Sequence, residues 1–240
     1  MTHSTRLLSH LLALALIFAA TACTADPQDS HLPDAFGSVL ILEDDGSEAG
    51  FLSVLERAGA DVDLGGSYRA FDGEDLGQYD VVIFLNGVDW RGNMDQEAQN
   101  SLRDWVADGG ALLTTEWLMW SGSANETITD ILPVTYGGSW ASSGETYERV
   151  TDHPIADGLP REFSTPSSWS YSTTELDPDP AKEAVVIFAG SRSGDAVTAG
   201  RHEDGRVVHW NMGGAYSGAN IWNRDTERLL VNIINYLADD

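Results

Sequence analysis

The chain has 240 residues and sets 13 Lys and Arg against 38 Asp and Glu, a formal charge of −25. Such an acidic balance excludes nucleic acid and anionic lipid as partners held by charge. A lone cysteine, Cys23, excludes any disulfide within the chain and any structural zinc site built on cysteines.

The first 22 residues carry one charged side chain, Arg6, then an apolar run from Leu7 to Ala20 broken by Ser9 and His10, then Ala20-Thr21-Ala22 before Cys23. A short charged start, a brief apolar stretch and small residues before a cut are the marks of a secretory signal. The run is short of the roughly 20 residues that span a bilayer. With a cysteine in the first mature position, the segment resembles a bacterial lipoprotein signal, which implies lipidation of Cys23. The alternative is an ordinary secreted protein with an incidental thiol. Thr24 rather than Asp follows the cysteine, which in that class implies the outer membrane. Residues 1–22 are therefore expected as signal peptide, 23–36 as a flexible polar tether with Pro27 and Pro33, and 37–240 as one domain.

Ser38 to Leu42 is an uninterrupted apolar run, the pattern of a strand buried on both faces. A helix is expected from about Ser47, with Phe51, Val54, Leu55 and Ala58 on one face and Gly59 as its stop. A short strand is expected over Asp61 to Leu64 and a buried one over Tyr79 to Leu85. The next helix is expected near Asn93, with Gln96 at capping-box spacing, and ends at Gly109. Ala111 to Thr115 then reads as the central strand. The order so far implies a parallel sheet with helices on both faces. Further on, Ile128, Ile131 and Leu132 suggest a short helix stopped by Pro133. Tyr136 to Gly144 reads as a Gly/Ser loop and Thr151 to Pro160 as a structured turn. Strands are expected at Ser170–Leu176 and Ala184–Phe188. A hairpin turns at Asp204-Gly205, and a last helix covers Thr226 to Ala238.

Four strings carry a family resemblance: Tyr79-Asp80-Val81-Val82; Trp105 to Leu112 with its Gly109-Gly110 step; His153-Pro154-Ile155 with Gly158-Leu159-Pro160 and Phe163; and Gly205-Arg206-Val207-Val208 followed by Leu229-Leu230-Val231-Asn232. In this order they resemble the class I glutamine amidotransferase-like superfamily, in its trehalose-utilisation (ThuA-like) branch. The resemblance implies an α/β, flavodoxin-like three-layer sandwich with a mainly parallel sheet and a C-terminal hairpin. It also implies a cysteine nucleophile at the exit of the central strand. Here that exit is Thr115-Glu116-Trp117, and the expected mature domain has no cysteine inside its fold. Amidotransferase chemistry through a thiolate is thus not expected.

What remains at the exits of parallel strands is a set of polar and aromatic side chains. Glu116 is the candidate acid or base, and His209 lies near where the superfamily places its histidine. Asp44, Asp45 and Asn86 leave neighbouring strands, with Trp90, Trp117 and Trp120 beside them as candidate ligand contacts. Trp140, Trp169 and Trp222 also fall in or beside expected loops. Loop tryptophans serve either to stack on a ligand or to cover a sheet edge. No spacing supports a metal site, and no cofactor pattern is present. The expectation is a lipid-anchored cell-envelope domain that binds a small polar ligand, carbohydrate being the class in view. A carboxylate-dependent hydrolase and an envelope interaction module are the alternatives.

Overall fold

A computed structural model describes residues 32–35, 37–43, 49–86, 92–115, 117–167, 170–212 and 222–239. The chain begins with β1 (Ser38–Glu43), α1 (Ala49–Arg57) and β2 (Asp61–Ser67). Next come β3 (Val81–Phe84), α2 (Gln96–Ala107) and β4 (Ala111–Thr115). Two one-turn helices follow, α3 (Trp117–Trp120) and α4 (Glu126–Thr129). Then come β5 (Val134–Ser142), β6 (Thr146–Arg149), β7 (Glu162–Ser164) and β8 (Ser170–Leu176). The chain closes with β9 (Val185–Gly190), β10 (Gly194–His202), β11 (Gly205–Trp210) and α5 (Arg224–Ala238).

The strands form one sheet in the order β2-β1-β3-β4-β11-β10-β9-β6-β7, with β5 paired to β8 and β8 touching β10. From β2 to β11 every pairing is parallel. From β11 onward β10, β9, β6 and β7 are antiparallel. The expectation of a mainly parallel sheet is therefore corrected: the sheet is mixed. The reason lies in the connections. Parallel neighbours need a crossover of a dozen or more residues, usually through a helix. Between α4 and α5 the described residues hold no helix longer than a single turn, so the strands there return by turns and pair antiparallel. The hairpin of β10 and β11 turns at Glu203-Asp204, with Glu203 at φ 51°.

Alternation along the parallel strands builds two cores. Val39, Ile41, Val81, Ile83, Leu113 and Val208 face α1 and α5. Leu40, Leu42, Val82, Phe84, Leu112 and Val207 face α2, α3 and α4. This is why the runs read as continuously apolar: both faces are covered. α5 drives Leu229, Leu230, Ile233, Ile234 and Leu237 into its face of the sheet. Fully burying each such side chain contributes about 1.5–3 kcal/mol. Asn223 and Thr226 cap α5 reciprocally, and Arg57 of α1 pairs with Glu227 at 2.8 Å.

Local chemistry fixes the step into β4. Gly109 holds φ 110°, a conformation costly for any residue with a Cβ. At Gly110 a Cβ would lie inside the Trp105 ring. The helix before it starts later than the capping-box spacing suggests. Its N-cap is Asp95, whose carboxylate accepts from the Glu97 N–H at 2.9 Å. β5 replaces the loop expected at Tyr136 to Gly144, while β6 and β7 have no counterpart among the expected strands. Within the segment expected as a tether, Ala35 N–H donates to the Ala58 carbonyl and Asn235 Nδ2 to the Asp34 carbonyl.

Candidate functional site

The carboxyl ends of β1, β3, β4 and β11 share one edge of the sheet, the edge where open α/β sheets bind ligands. Of the residues expected there, Asp44, Asp45, Trp90 and Glu116 lie outside the described residues, as does Cys23. Asn86, Trp117, Trp120 and His209 are described.

Asn86 follows β3 and is fully buried. Its Nδ2 donates to Ser121 Oγ at 3.0 Å, and its Oδ1 has no partner among the described residues. His209 stands opposite Thr114 in the β11–β4 ladder. Its Nδ1 lies 2.9 Å from Thr114 Oγ1, its Nε2 has no partner among the described residues, and the ring is fully buried. Burial lowers its pKa to about 3. The imidazole is thus neutral at physiological pH, and in this arrangement it is a polar member of the core rather than a proton donor to solvent.

Asn211, just past β11, is also fully buried. A short relay orients it: Trp210 Nε1 donates to Tyr147 Oη at 3.2 Å, and Tyr147 Oη donates to Asn211 Oδ1 at 2.9 Å. Its Nδ2 is left without a partner among the described residues. Asn86, Asn211 and the His209–Thr114 pair thus form a polar floor under the ends of three adjacent strands. Each unsatisfied buried group costs about 1–3 kcal/mol unless water or a ligand supplies its partner.

Beside this floor lies an aromatic cluster. Trp117 packs on Trp140 at 5.9 Å between ring centroids, and Trp120 meets Trp140 at 6.1 Å and Tyr136 at 5.8 Å. Trp117 is buried, whereas Trp140 keeps 51% of its surface exposed. Burial raises the Tyr136 pKa, so its hydroxyl stays protonated. Two elements make the cluster: α3 supplies Trp117 and Trp120 directly after β4, and β5 lays Tyr136 and Trp140 across them. Trp222, by contrast, is packed edge-on against Phe51 at 5.1 Å and above the Cα of Gly50, where a Cβ would strike its indole.

Sequence reasoning passed over Asn211 and Ser121. The only signal for Asn211 was its place two residues beyond His209 at a strand end. His153, read as a turn residue, accepts from the Ile155 N–H through Nδ1 and packs edge-on against Tyr236 at 4.6 Å. On the opposite edge of the sheet a cleft of about 410 Å³ is lined by Tyr79, Trp105, Arg201 and Arg206. Its Arg206 is engaged in capping α5 through the Tyr236 and Asp239 carbonyls. Among the described residues no group of three or more His, Cys, Asp or Glu stands together as a metal site.

The family described as ThuA, trehalose utilisation, matches residues 39–235. The chain belongs to this family. Solved structures agree on the fold. A cytoplasmic protein from Salmonella typhimurium superposes with a TM-score of 0.63 at 16% identity, covering 84% of this chain and 98% of that one. A ThuA-like protein from Bacteroides uniformis gives a TM-score of 0.60 at 16% identity, covering 88% of this chain and 94% of that one. Part of a β-galactosidase from Bacillus circulans sp. alkalophilus gives 0.54 at 12% identity, covering 84% of this chain and 31% of that one. No curated protein sequence matches the chain. At these identities the likeness concerns the ThuA-family fold alone.

Proposed function

We propose that this ThuA-family chain is a carbohydrate-binding domain, anchored in the cell envelope by a lipidated Cys23 and without amidotransferase activity. The observation that carries the binding reading is the cluster of Trp117, Trp120, Trp140 and Tyr136 next to the exit of β4, with the Trp140 ring half-exposed. An indole face offers a large rigid apolar area, and the Asn86 and Asn211 amides at the same edge of the sheet offer polar groups beside it. Sugar rings need both, because their C–H faces are apolar and their rims are hydroxylated. The family description, trehalose utilisation, points to the same ligand class. The anchoring reading is supported by Arg6, the apolar run and the small residues before Cys23. Thr24 supports the outer membrane as destination.

Titration of the full chain with trehalose and glucose, followed by tryptophan fluorescence and calorimetry, tests the binding reading. Saturable binding is expected, with Trp140→Ala weakening it about tenfold, the equivalent of about 1.4 kcal/mol. Trp140 is half-exposed, so the variant should keep its melting temperature. Absence of any saturable response to either sugar refutes the reading. For the anchor, incorporation of a labelled fatty acid should be abolished by Cys23→Ser. Equal incorporation in both proteins refutes it.

A further inference from the structure

On the same edge as the aromatic cluster a second concavity of about 440 Å³ opens between the start of α2, the turn after β2 and the segment joining α3 to α4. Arg69, Asn93, Gln96, Gln99, Ser123 and Glu126 line it. Its walls are tied together. Asn125 is fully buried; its Oδ1 accepts from the Met94 N–H at 2.9 Å and its Nδ2 donates to the Gly92 carbonyl at 3.2 Å. Gln96 Nε2 donates to Thr127 Oγ1 at 2.8 Å across the cleft's side. Gln99 is only 3% exposed; its Nε2 donates to the Met94 carbonyl at 2.9 Å, and its Oε1 has no partner among the described residues. The Met94 bond fixes the amide orientation, because a carbonyl oxygen can face only the NH2 end. Gln99 thus brings to the lining of the cleft a buried acceptor that no described protein group satisfies.

The lining chemistry narrows the occupant. Amides, a guanidinium, a hydroxyl and a carboxylate alternate donors with acceptors, which suits a neutral molecule whose every hydroxyl both donates and accepts. Glu126, with the Asp95 carboxylate already spent on capping α2, disfavours an anion. Among the described residues the walls offer no aromatic face for an apolar group. Ser123 on the cleft and Trp120 in the aromatic cluster are three residues apart, at most about 11 Å of chain.

We propose that this cleft is a second saccharide subsite, which grips the hydroxyls of one sugar unit while the neighbouring unit lies on Trp140 and Trp120. The proposal rests on the carbohydrate reading above and deepens it: the ligand spans at least two sugar units.

The test compares glucose with trehalose on the full chain by calorimetry, for the wild type, for Asn93→Ala/Glu126→Ala and for Trp140→Ala. Asn93 and Glu126 are exposed, so the double variant should melt with the wild type. The wild type should bind trehalose at least tenfold more tightly than glucose. The double variant should bring trehalose down to the glucose affinity and leave glucose unchanged. Trp140→Ala should weaken both sugars. Equal affinities in the wild type, or a double variant that keeps the preference for trehalose, overturns the second subsite and leaves the aromatic platform standing. If neither sugar binds the wild type, both readings fall together.

Discussion

His209 makes the protein acid-sensitive in a calculable way. Its ring is fully buried, and its pKa is lowered to about 3 from the imidazole value of 6.5. Below pH 6.5 the unfolded chain takes up a proton at this residue while the folded chain does not. Stability from His209 is therefore complete above pH 6.5 and is lost as pH falls toward 3. Between those values the slope is about 1.4 kcal/mol per pH unit, and between pH 7 and pH 5 the integrated loss is about 2 kcal/mol. His209→Gln removes the titration and keeps an amide that can reach Thr114 Oγ1. Many carboxylates titrate in the same range, so the informative quantity is the difference between wild type and variant. Urea unfolding at pH 7, 6 and 5 should show the wild type losing about 2 kcal/mol relative to His209→Gln. A gap that stays constant across this range refutes the reasoning, as does an NMR titration of the His209 ring with a midpoint near 6.5.

Further substitutions probe the frame. Gly110→Ala should destabilise by about 1–3 kcal/mol in chemical denaturation, because its Cβ would meet the Trp105 ring; an unchanged midpoint would show that Trp105 swings away freely. Glu145 accepts from the Arg192 and Ser193 N–H groups through Oε2 at 3.1 and 3.2 Å, and burial pushes its carboxyl upward. Glu145→Ala should cost about 1–3 kcal/mol in thermal unfolding by stranding those donors. A raised carboxyl pKa favours the folded state most at low pH, so Glu145→Gln should gain on the wild type as pH rises from 4 to 7; a gap that moves the other way contradicts the assignment. Ile233→Ala, on the fully buried face of α5, should lower the urea midpoint by an amount worth about 2–5 kcal/mol, and a smaller loss would mean that α5 resettles.

The parallel half of the sheet was legible because burial on both faces leaves an unbroken apolar run, as in Val39–Leu42 and Ala111–Leu113. The β10–β11 hairpin and α5 were legible from turn chemistry and from spacing on one helix face. β5 was not, because Gly137, Gly138 and Ser139 form an irregularity against β8 and most of the strand faces solvent, so no apolar alternation survives. β6 and β7, at four and three residues, are too short to show a period. Strand direction was misjudged for a different reason: it depends on what connects the strands, and the connections after α4 carry only turns. At the site, Trp117 and Trp120 were visible as aromatics following a strand. The cleft against Gln99 was not, since it joins residues from three separate segments, and no local pattern records their meeting.

β11 lies between β4 and β10, so one strand joins the parallel half to the antiparallel half. It is also the last strand among the described residues, and α5, which covers its neighbours, comes later still. Until residues 205–210 are available, β4 and β10 each present an unpaired edge, and exposed edges recruit other chains. The order of synthesis thus leaves the joint between the halves to the final stretch of polypeptide. A chain cut short before Gly205 would be two unfinished sheets with two adhesive borders, not a smaller version of the domain.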